Sequence, residues 1–334
     1  MKAMVLAAGL GTRLRPLTFE LPKPMVPVLD RPVMAHIVDL LDRHGYDEVI
    51  ANLHYFPDTI RDYFGERLSY REEPELLGTA GGVRNCADFL DDGTFLIISG
   101  DALTDIDLSA FVARHKAAGG IGTLAVKRVE NTREFGVVLH DADGRITGFQ
   151  EKPDPAEALS DLGNCGMYLF EPEIFDYFPR RPFVDWANDV FPALLEHDVP
   201  FHIHEIDEYW NDVGSLQELK EGTFDALRGE LRVELRGQEV ADGVRICEDT
   251  ELTDATLIEP PVWIGRNVRI GAGVRLQGPL AIGDGAVIGD GAALKDSVVL
   301  SGTEVAPDAI LIGAIAGHRG IVDRLRPRER ATRG

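Results

Sequence analysis

Apolar residues fall along this chain in two textures. Up to about residue 230, short continuous runs alternate with stripes at helical spacing. Met4 to Ala8 is an apolar run that predicts a buried first strand. Val33 to His44 is apolar at helical spacing and stops at Gly45. Glu48–Leu53 reads as a strand, Pro57–Phe64 as a helix and Arg67–Arg71 as a strand; Gly78–Gly82 opens a helix. Phe95–Ile98 reads as a central strand. Leu108–Ala118 is a helix ended by Gly119 and Gly120, and Ile121–Val129 is a strand. A hairpin follows through Asp141–Gly144, then a helix at Asp185–Leu195, a strand at Phe201–Ile206 and a helix at Leu216–Leu227. The alternation predicts an α/β domain over 1–230, with a mostly parallel sheet covered by helices on both faces.

From about 240 the period changes to six. Aliphatic residues recur at Val240, Ile246, Leu252, Ile258, Ile264, Ile270, Leu276, Ile282, Ile288, Leu294 and Leu300, with Ile312 returning after Ala306. Glycine follows several of them, and Val262, Val268, Val274, Ala286, Ala292 and Val298 sit two before. This predicts hexapeptide repeats wound into a left-handed parallel β-helix of about four coils over 240–316. Its open edges suit contact with a second copy, so a homo-oligomer is expected. Residues 317–334 form a basic tail, expected to begin as a capping helix.

The 334 residues carry a net charge of −22, which argues against nucleic acid as a partner. No apolar run is long enough for a membrane span, and no signal peptide is visible. Cys86, Cys165 and Cys247 have no paired spacing and read as buried, reduced thiols, so a cytoplasmic protein is expected. Against the acidic whole, Arg13, Arg15, Lys23 and Arg31 gather in the opening stretch, which predicts a basic pocket.

That stretch holds the main candidate chemistry. Gly9 and Gly11 follow the first strand at once, and such a turn lets backbone N–H groups approach phosphate. It is neither the dinucleotide fingerprint, whose third glycine is Leu14 here, nor a Walker A loop. The lysine comes later, in Pro22-Lys23-Pro24, with its backbone fixed on both sides. Further on, Asp101 lies just past the central strand, well placed to hold Mg²⁺ between phosphates. Asp105 and Asp107 read as capping or surface residues, and His202 and His204 as structural.

The run GLGTRLRPLT…PKPMVPV resembles the signature of the sugar-1-phosphate nucleotidylyltransferases, and within them the mannose-1-phosphate guanylyltransferase-like branch. The resemblance covers nearly the whole chain and implies a Rossmann-like mixed sheet, the nucleotide-diphospho-sugar transferase fold. It implies an NTP and a sugar 1-phosphate as substrates, and an NDP-sugar and pyrophosphate as products. Leu6, Ala7, Ala8, Gly9, Gly11, Thr12, Arg13, Lys23, Glu73, Gly78 and Thr79 then face the nucleotide. Asp101 and Asp212 hold Mg²⁺. Gly136, Glu151 and Asn164 hold the sugar, and Lys152 of Glu151-Lys152-Pro153 holds its phosphate. Arg13, Lys23, Asp101 and Lys152 carry the catalysis. Glu73 stands where uridine- and thymidine-handling relatives often have glutamine. A carboxylate only accepts hydrogen bonds, which suits the adjacent N–H donors of guanine, so GTP and mannose 1-phosphate are expected.

Three other readings stand beside this one. Glucose 1-phosphate with UTP or dTTP uses the same chemistry. A regulatory paralogue would be expected to lack Lys23, Asp101 or Asp212, and all three are present. An acyltransferase in the β-helix would need a base such as histidine, and 240–316 contains none.

Overall fold

The computed structural model describes residues 1–253 and 255–322. They form two compact units. The first contains Met1–Leu10, Glu20–Met25 and Met34–Asp212; the second contains Gly11–Phe19, Val26–Val33 and the chain from Val213 onward.

The first unit runs β1 (Lys2–Leu6), α1 (Val33–Arg43), β2 (Glu48–Leu53), α2 (Pro57–Phe64), β3 (Ser69–Glu72), α3 (Thr79–Arg84), β4 (Phe95–Ser99), β5 (Ala102–Thr104), α4 (Leu108–Ala118), β6 (Gly122–Arg128), β7 (Gly136–His140), β8 (Ile146–Glu151), β9 (Leu162–Phe170), α5 (Phe191–Glu196), β10 (Phe201–Glu205) and β11 (Trp210–Asp212). Nine strands make one sheet in the order β8-β7-β9-β4-β1-β2-β3, with β6 joining β9 to β10. Strands β4, β1, β2 and β3 are parallel. Strand β9 is antiparallel to β4 and β6, and β7 to β8. The sheet is therefore mixed: its parallel half carries the opening loop, and its antiparallel half carries the Glu151 and Asn164 motifs. Asp107 caps α4 by accepting from the backbone N–H of Ser109 and Ala110, as a capping aspartate does. Asp185 instead caps a π-helical turn, Trp186–Val190, before α5, so the helix expected from Asp185 is irregular at its start. Phe170 stacks on Trp186 with ring centres 5.0 Å apart, which seats the 182–186 segment on the core.

In the second unit, the helix α6 (Leu216–Leu227) packs with the repeat. The buried Lys220 donates from Nζ to the carbonyl of Gly313 at 3.2 Å. The repeat itself has three parallel faces. The first stacks Val244–Ile246, Val262–Ile264, Leu280–Ile282, Val298–Val299 and Ile315–Gly317; the second stacks Leu257–Glu259, Arg275–Gln277, Ala293–Lys295 and Ile310–Ile312; the third stacks Arg269–Ile270, Val287–Ile288 and Glu304–Val305.

The six-residue register holds only to Leu294. Ile246, Ile264 and Ile282 pair 18 residues apart, but Ile282 pairs with Val299, Ile288 with Val305 and Leu294 with Leu311. The inward residues are thus Val299, Val305 and Leu311 rather than Leu300, Ala306 and Ile312, and Ile312 is 60% exposed. One residue is lost at the corner after Lys295. Asp296 turns there with φ +48, and the buried Ser297 closes it by donating to the Lys295 carbonyl at 2.6 Å. Val240 lies in an antiparallel edge strand, Gln238–Ala241, rather than in a rung. The tail begins as a strand, Gly320–Val322, and not as a helix; residues 323–334 of the expected tail lie outside the described residues.

Candidate active site

Strands β1, β2 and β4 run parallel and in register, with Leu6 opposite both Asn52 and Ser99. Their carboxyl ends therefore open on one edge, the usual place for a ligand in such a sheet. The chain leaves β1 at Ala7, whose N–H donates to Asn52 Oδ1 at 2.8 Å. Beside it, the Gly100 N–H donates to the Leu6 carbonyl at 2.9 Å. A Cβ on Gly100 would stand 2.7 Å from that carbonyl, so only glycine lets Asp101 follow so close to β1.

Asp101 meets Lys23 there. Lys23 opens a single 3₁₀ turn, Lys23–Met25, that follows Pro22 and contains Pro24 and is closed by Met25 N–H to the Pro22 carbonyl. The Lys23 ammonium forms an ion pair with Asp101 and lies 3.5 Å from Asp212 Oδ1. Asp212 arrives from 111 residues away because β11 pairs antiparallel with β5, with Asp212 opposite Ala102. The three side chains are mostly buried, at 13%, 19% and 31% exposure for Lys23, Asp101 and Asp212. The expected basic pocket is thus corrected: Lys23 is flanked by two carboxylates. Arg13 belongs to the second unit, where its guanidinium lies against Gly214. Gly11, at φ +61, and Thr12 start the turn that carries Arg13, and Thr18 ties that loop by donating to the Gly11 carbonyl at 2.7 Å.

Glu73 differs from its expected role. It is 2% exposed, and both carboxylate oxygens accept from the chain itself. Oε1 takes the Asn52 Nδ2 hydrogen at 2.7 Å, and Oε2 takes the Leu77 N–H at 3.1 Å. It braces the loop before Gly78, so the guanine argument built on a free acceptor falls. Gly78 itself has φ +82, and a Cβ there would meet the Val184 carbonyl at 2.4 Å. Thr79 donates to Asp185 Oδ2 at 2.8 Å, which pins the start of α3 to the same segment.

The sugar-side candidates gather on the antiparallel half of the sheet. Gly136 is paired with Glu151 across β7 and β8, and a Cβ on Gly136 would stand 3.1 Å from Glu151 Oε2. Asn164 lies one residue past Gly163, the residue of β9 that pairs with Val137. A break in the β9 register follows, and Asn164 spans it: Oδ1 accepts from Gly166 N–H at 3.0 Å and Nδ2 donates to the Tyr168 hydroxyl at 3.0 Å. Lys152 has φ +47, a conformation that L-residues seldom adopt outside turns and functional sites. Its side chain is 56% exposed and its ammonium is 3.6 Å from Glu151 Oε1.

Comparison with known proteins gives this geometry a family. The nucleotidyl transferase family matches residues 2–228, and the bacterial transferase hexapeptide (six repeats) matches 261–296. A UTP–glucose-1-phosphate uridylyltransferase of Synechocystis is 38% identical over 290 residues, covering 80% of this chain and 75% of the relative. A mannose-1-phosphate guanylyltransferase of Mycobacterium tuberculosis is 33% identical over 279 residues, covering 80% and 77%. The chain belongs to the sugar-1-phosphate nucleotidylyltransferase family. Among solved structures, a Bacillus anthracis protein in complex with a sucrose superposes with a TM-score of 0.63 at 23% identity, over 70% of this chain and 98% of that one. HddC from Yersinia pseudotuberculosis does so with 0.58 at 23%, over 66% and 97%. At that identity the likeness is one of fold.

For a nucleotidylyltransferase, the new elements are Asn52 and Asp185. Neither stands in a recognisable motif. Each acts on a backbone or side chain of the loops at the sheet edge, Asn52 through the register of β2 beside β1 and Asp185 through the segment that caps the π-helical turn. The three thiols are buried, as expected, and no helix among the described residues is long and apolar enough to cross a membrane.

Proposed function

We propose that the protein joins an NTP and a sugar 1-phosphate into an NDP-sugar with release of pyrophosphate, using Mg²⁺. The observation that carries this reading is the convergence of Asp101 and Asp212 on the Lys23 ammonium. Two carboxylates directed at one cation are a fitting donor set for a hard divalent ion, whose other ligands come from phosphate and water. Held there, Mg²⁺ supplies charge neutralisation for the triphosphate. Among the described residues no third carboxylate, histidine or cysteine joins them.

The rest of the chemistry is positioning. A sugar phosphate carries about −1.5 to −2 charges at neutral pH, so it attacks the α-phosphorus without a general base. The bond to the β-phosphate breaks and pyrophosphate leaves. The chain has to align two repelling anions and offset the charge that develops. Lys23 and Arg13 bind the triphosphate. Lys152 holds the attacking phosphate, and Gly136, Glu151 and Asn164 orient the sugar.

For the substrate pair, the reading takes UTP and glucose 1-phosphate first. With Glu73 engaged by Asn52 and Leu77, the residue argument for guanine has lost its footing, and the Synechocystis uridylyltransferase shares more identity than the Mycobacterium guanylyltransferase at equal coverage of this chain. GTP with mannose 1-phosphate, the expectation from sequence, is the second reading, supported by the latter relative. The test is pyrophosphate release with Mg²⁺ over a grid of GTP, UTP, dTTP, ATP and CTP against four hexose 1-phosphates. A dominant UTP and glucose 1-phosphate cell supports the first reading. A dominant GTP and mannose 1-phosphate cell replaces it with the second, and a blank grid with folded protein contradicts both.

A further inference from the structure

The repeat ends in a hairpin whose turn reaches a residue near the start of the chain. Ile315–Gly317 pairs antiparallel with Gly320–Val322, with Gly317 opposite Gly320, so His318 and Arg319 form a two-residue turn. Gly320 has φ +115, which lets the chain reverse there. The His318 ring sits over Gly302, where an added Cβ would be 3.1 Å from Cε1, so the turn is seated on the repeat. From this turn the Arg319 guanidinium lies 5.5 Å from the centre of the Phe19 ring. The Arg15 guanidinium lies 5.0 Å from the same ring. Phe19 is 45% exposed and ends the loop that begins at Gly11. All of these residues belong to the second unit.

We propose that Arg319 is a positioning residue for the nucleoside triphosphate. It stacks on Phe19 and, with Arg15 on the same ring, holds the far end of the Gly11–Phe19 loop. The near end is held by the Thr18 hydroxyl on the Gly11 carbonyl. With both ends fixed, Arg13 and the loop N–H groups are ordered before the ligand arrives, and that ordering is not charged against binding. A guanidinium over an aromatic face is attracted by the ring quadrupole, and Arg stacks better there than Lys. The pair also sets two positive charges beside the loop of a protein whose net charge is −22, which favours a polyanion locally. The loop carries Arg13, assigned above to the triphosphate and not to the sugar, so the effect falls on the NTP.

This inference rests on the reading of Gly9–Arg15 as the triphosphate loop, and its test keeps the two apart. Steady-state kinetics are measured on wild type, Arg319→Ala, Phe19→Leu, the double variant and Arg319→Lys. Arg319→Ala raises the NTP KM about two- to fivefold, while kcat and the sugar 1-phosphate KM stay within about twofold. Arg319→Lys recovers part of the loss, and the double variant is no worse than either single one. Additive losses, or equal shifts in both KM values, overturn the role of Arg319 while leaving the activity standing. A wild type inert with every substrate pair contradicts the activity itself.

Discussion

Asn52 donates to Glu73 across a buried 2.7 Å hydrogen bond, and its other amide atom accepts from Ala7. One side chain thus ties the end of the first strand to the loop before Gly78. The polarity of the chain of bonds is set at its start: a backbone N–H can only donate, so Asn52 presents Oδ1 to Ala7 and Nδ2 to Glu73. Leu77 offers Glu73 a second N–H. Glu73 must accept twice.

Glu73→Gln therefore turns an NH₂ group toward one of two donors. The cost is about 1–3 kcal/mol, that of one buried polar group left unmatched. Urea unfolding of the two proteins measures it. A difference below about 0.5 kcal/mol would mean that the loop rearranges freely and that the brace is not structural.

The register of the repeat makes a sharp contrast between neighbours. Leu311 is 3% exposed and Ile312 is 60% exposed. Leu311→Ala is expected to cost about 2–5 kcal/mol and Ile312→Ala less than about 0.5 kcal/mol. Thermal melts of the two variants decide it. The reverse order would restore the strict six-residue spacing.

Burial pushes the Cys86 thiol up to about 12 and the Cys247 thiol up to about 11, from an ordinary 9.0. The folded state therefore holds the neutral thiols. Their contribution is fully present below about pH 9, where the unfolded chain also keeps its protons, and is lost as pH rises toward 11 and 12. The melting temperature should fall between pH 9 and 11. At pH 8 the native thiols should react with a disulfide reagent far more slowly than the unfolded ones. Prompt labelling of the native protein would contradict this burial.

Lys23→Ala removes the cation between Asp101 and Asp212. It should lower kcat/KM by about 100-fold or more and also lower the melting temperature, because two mostly buried carboxylates lose their shared cation. Lys23→Arg should recover little, because a planar fork does not replace a point charge in that space. Full activity in Lys23→Arg would show that charge alone suffices.

Much of this was legible in the sequence because it is local. The strand Glu48–Leu53 and the helices Pro57–Phe64 and Leu216–Leu227 fall where periodicity and caps place them. Asp101 and Lys23 were singled out by motif and strand position. What the sequence hid depends on pairing across distance. Asp212 was named only through the family resemblance; what brings it to Lys23 is the ladder of Trp210–Asp212 on Ala102–Thr104, two segments too short to show a period. Glu73 was read as an acceptor for guanine, and only the Asn52 contact reveals it as buried and engaged within the chain. The lost residue at Asp296 was masked because Leu300 and Ile312 are as apolar as the Val299 and Leu311 that point inward.

The most direct test of the central claim compares wild type with Asp101→Asn and Asp212→Asn in Mg²⁺-dependent pyrophosphate release on the preferred substrate pair. The account predicts turnover by wild type, its loss on chelation and return with Mg²⁺, and a drop of about 100-fold or more in each variant while it remains folded at the assay temperature. Variants that keep activity within about threefold of wild type, in the same assay, would contradict the assignment of Asp101 and Asp212 to the reacting phosphates.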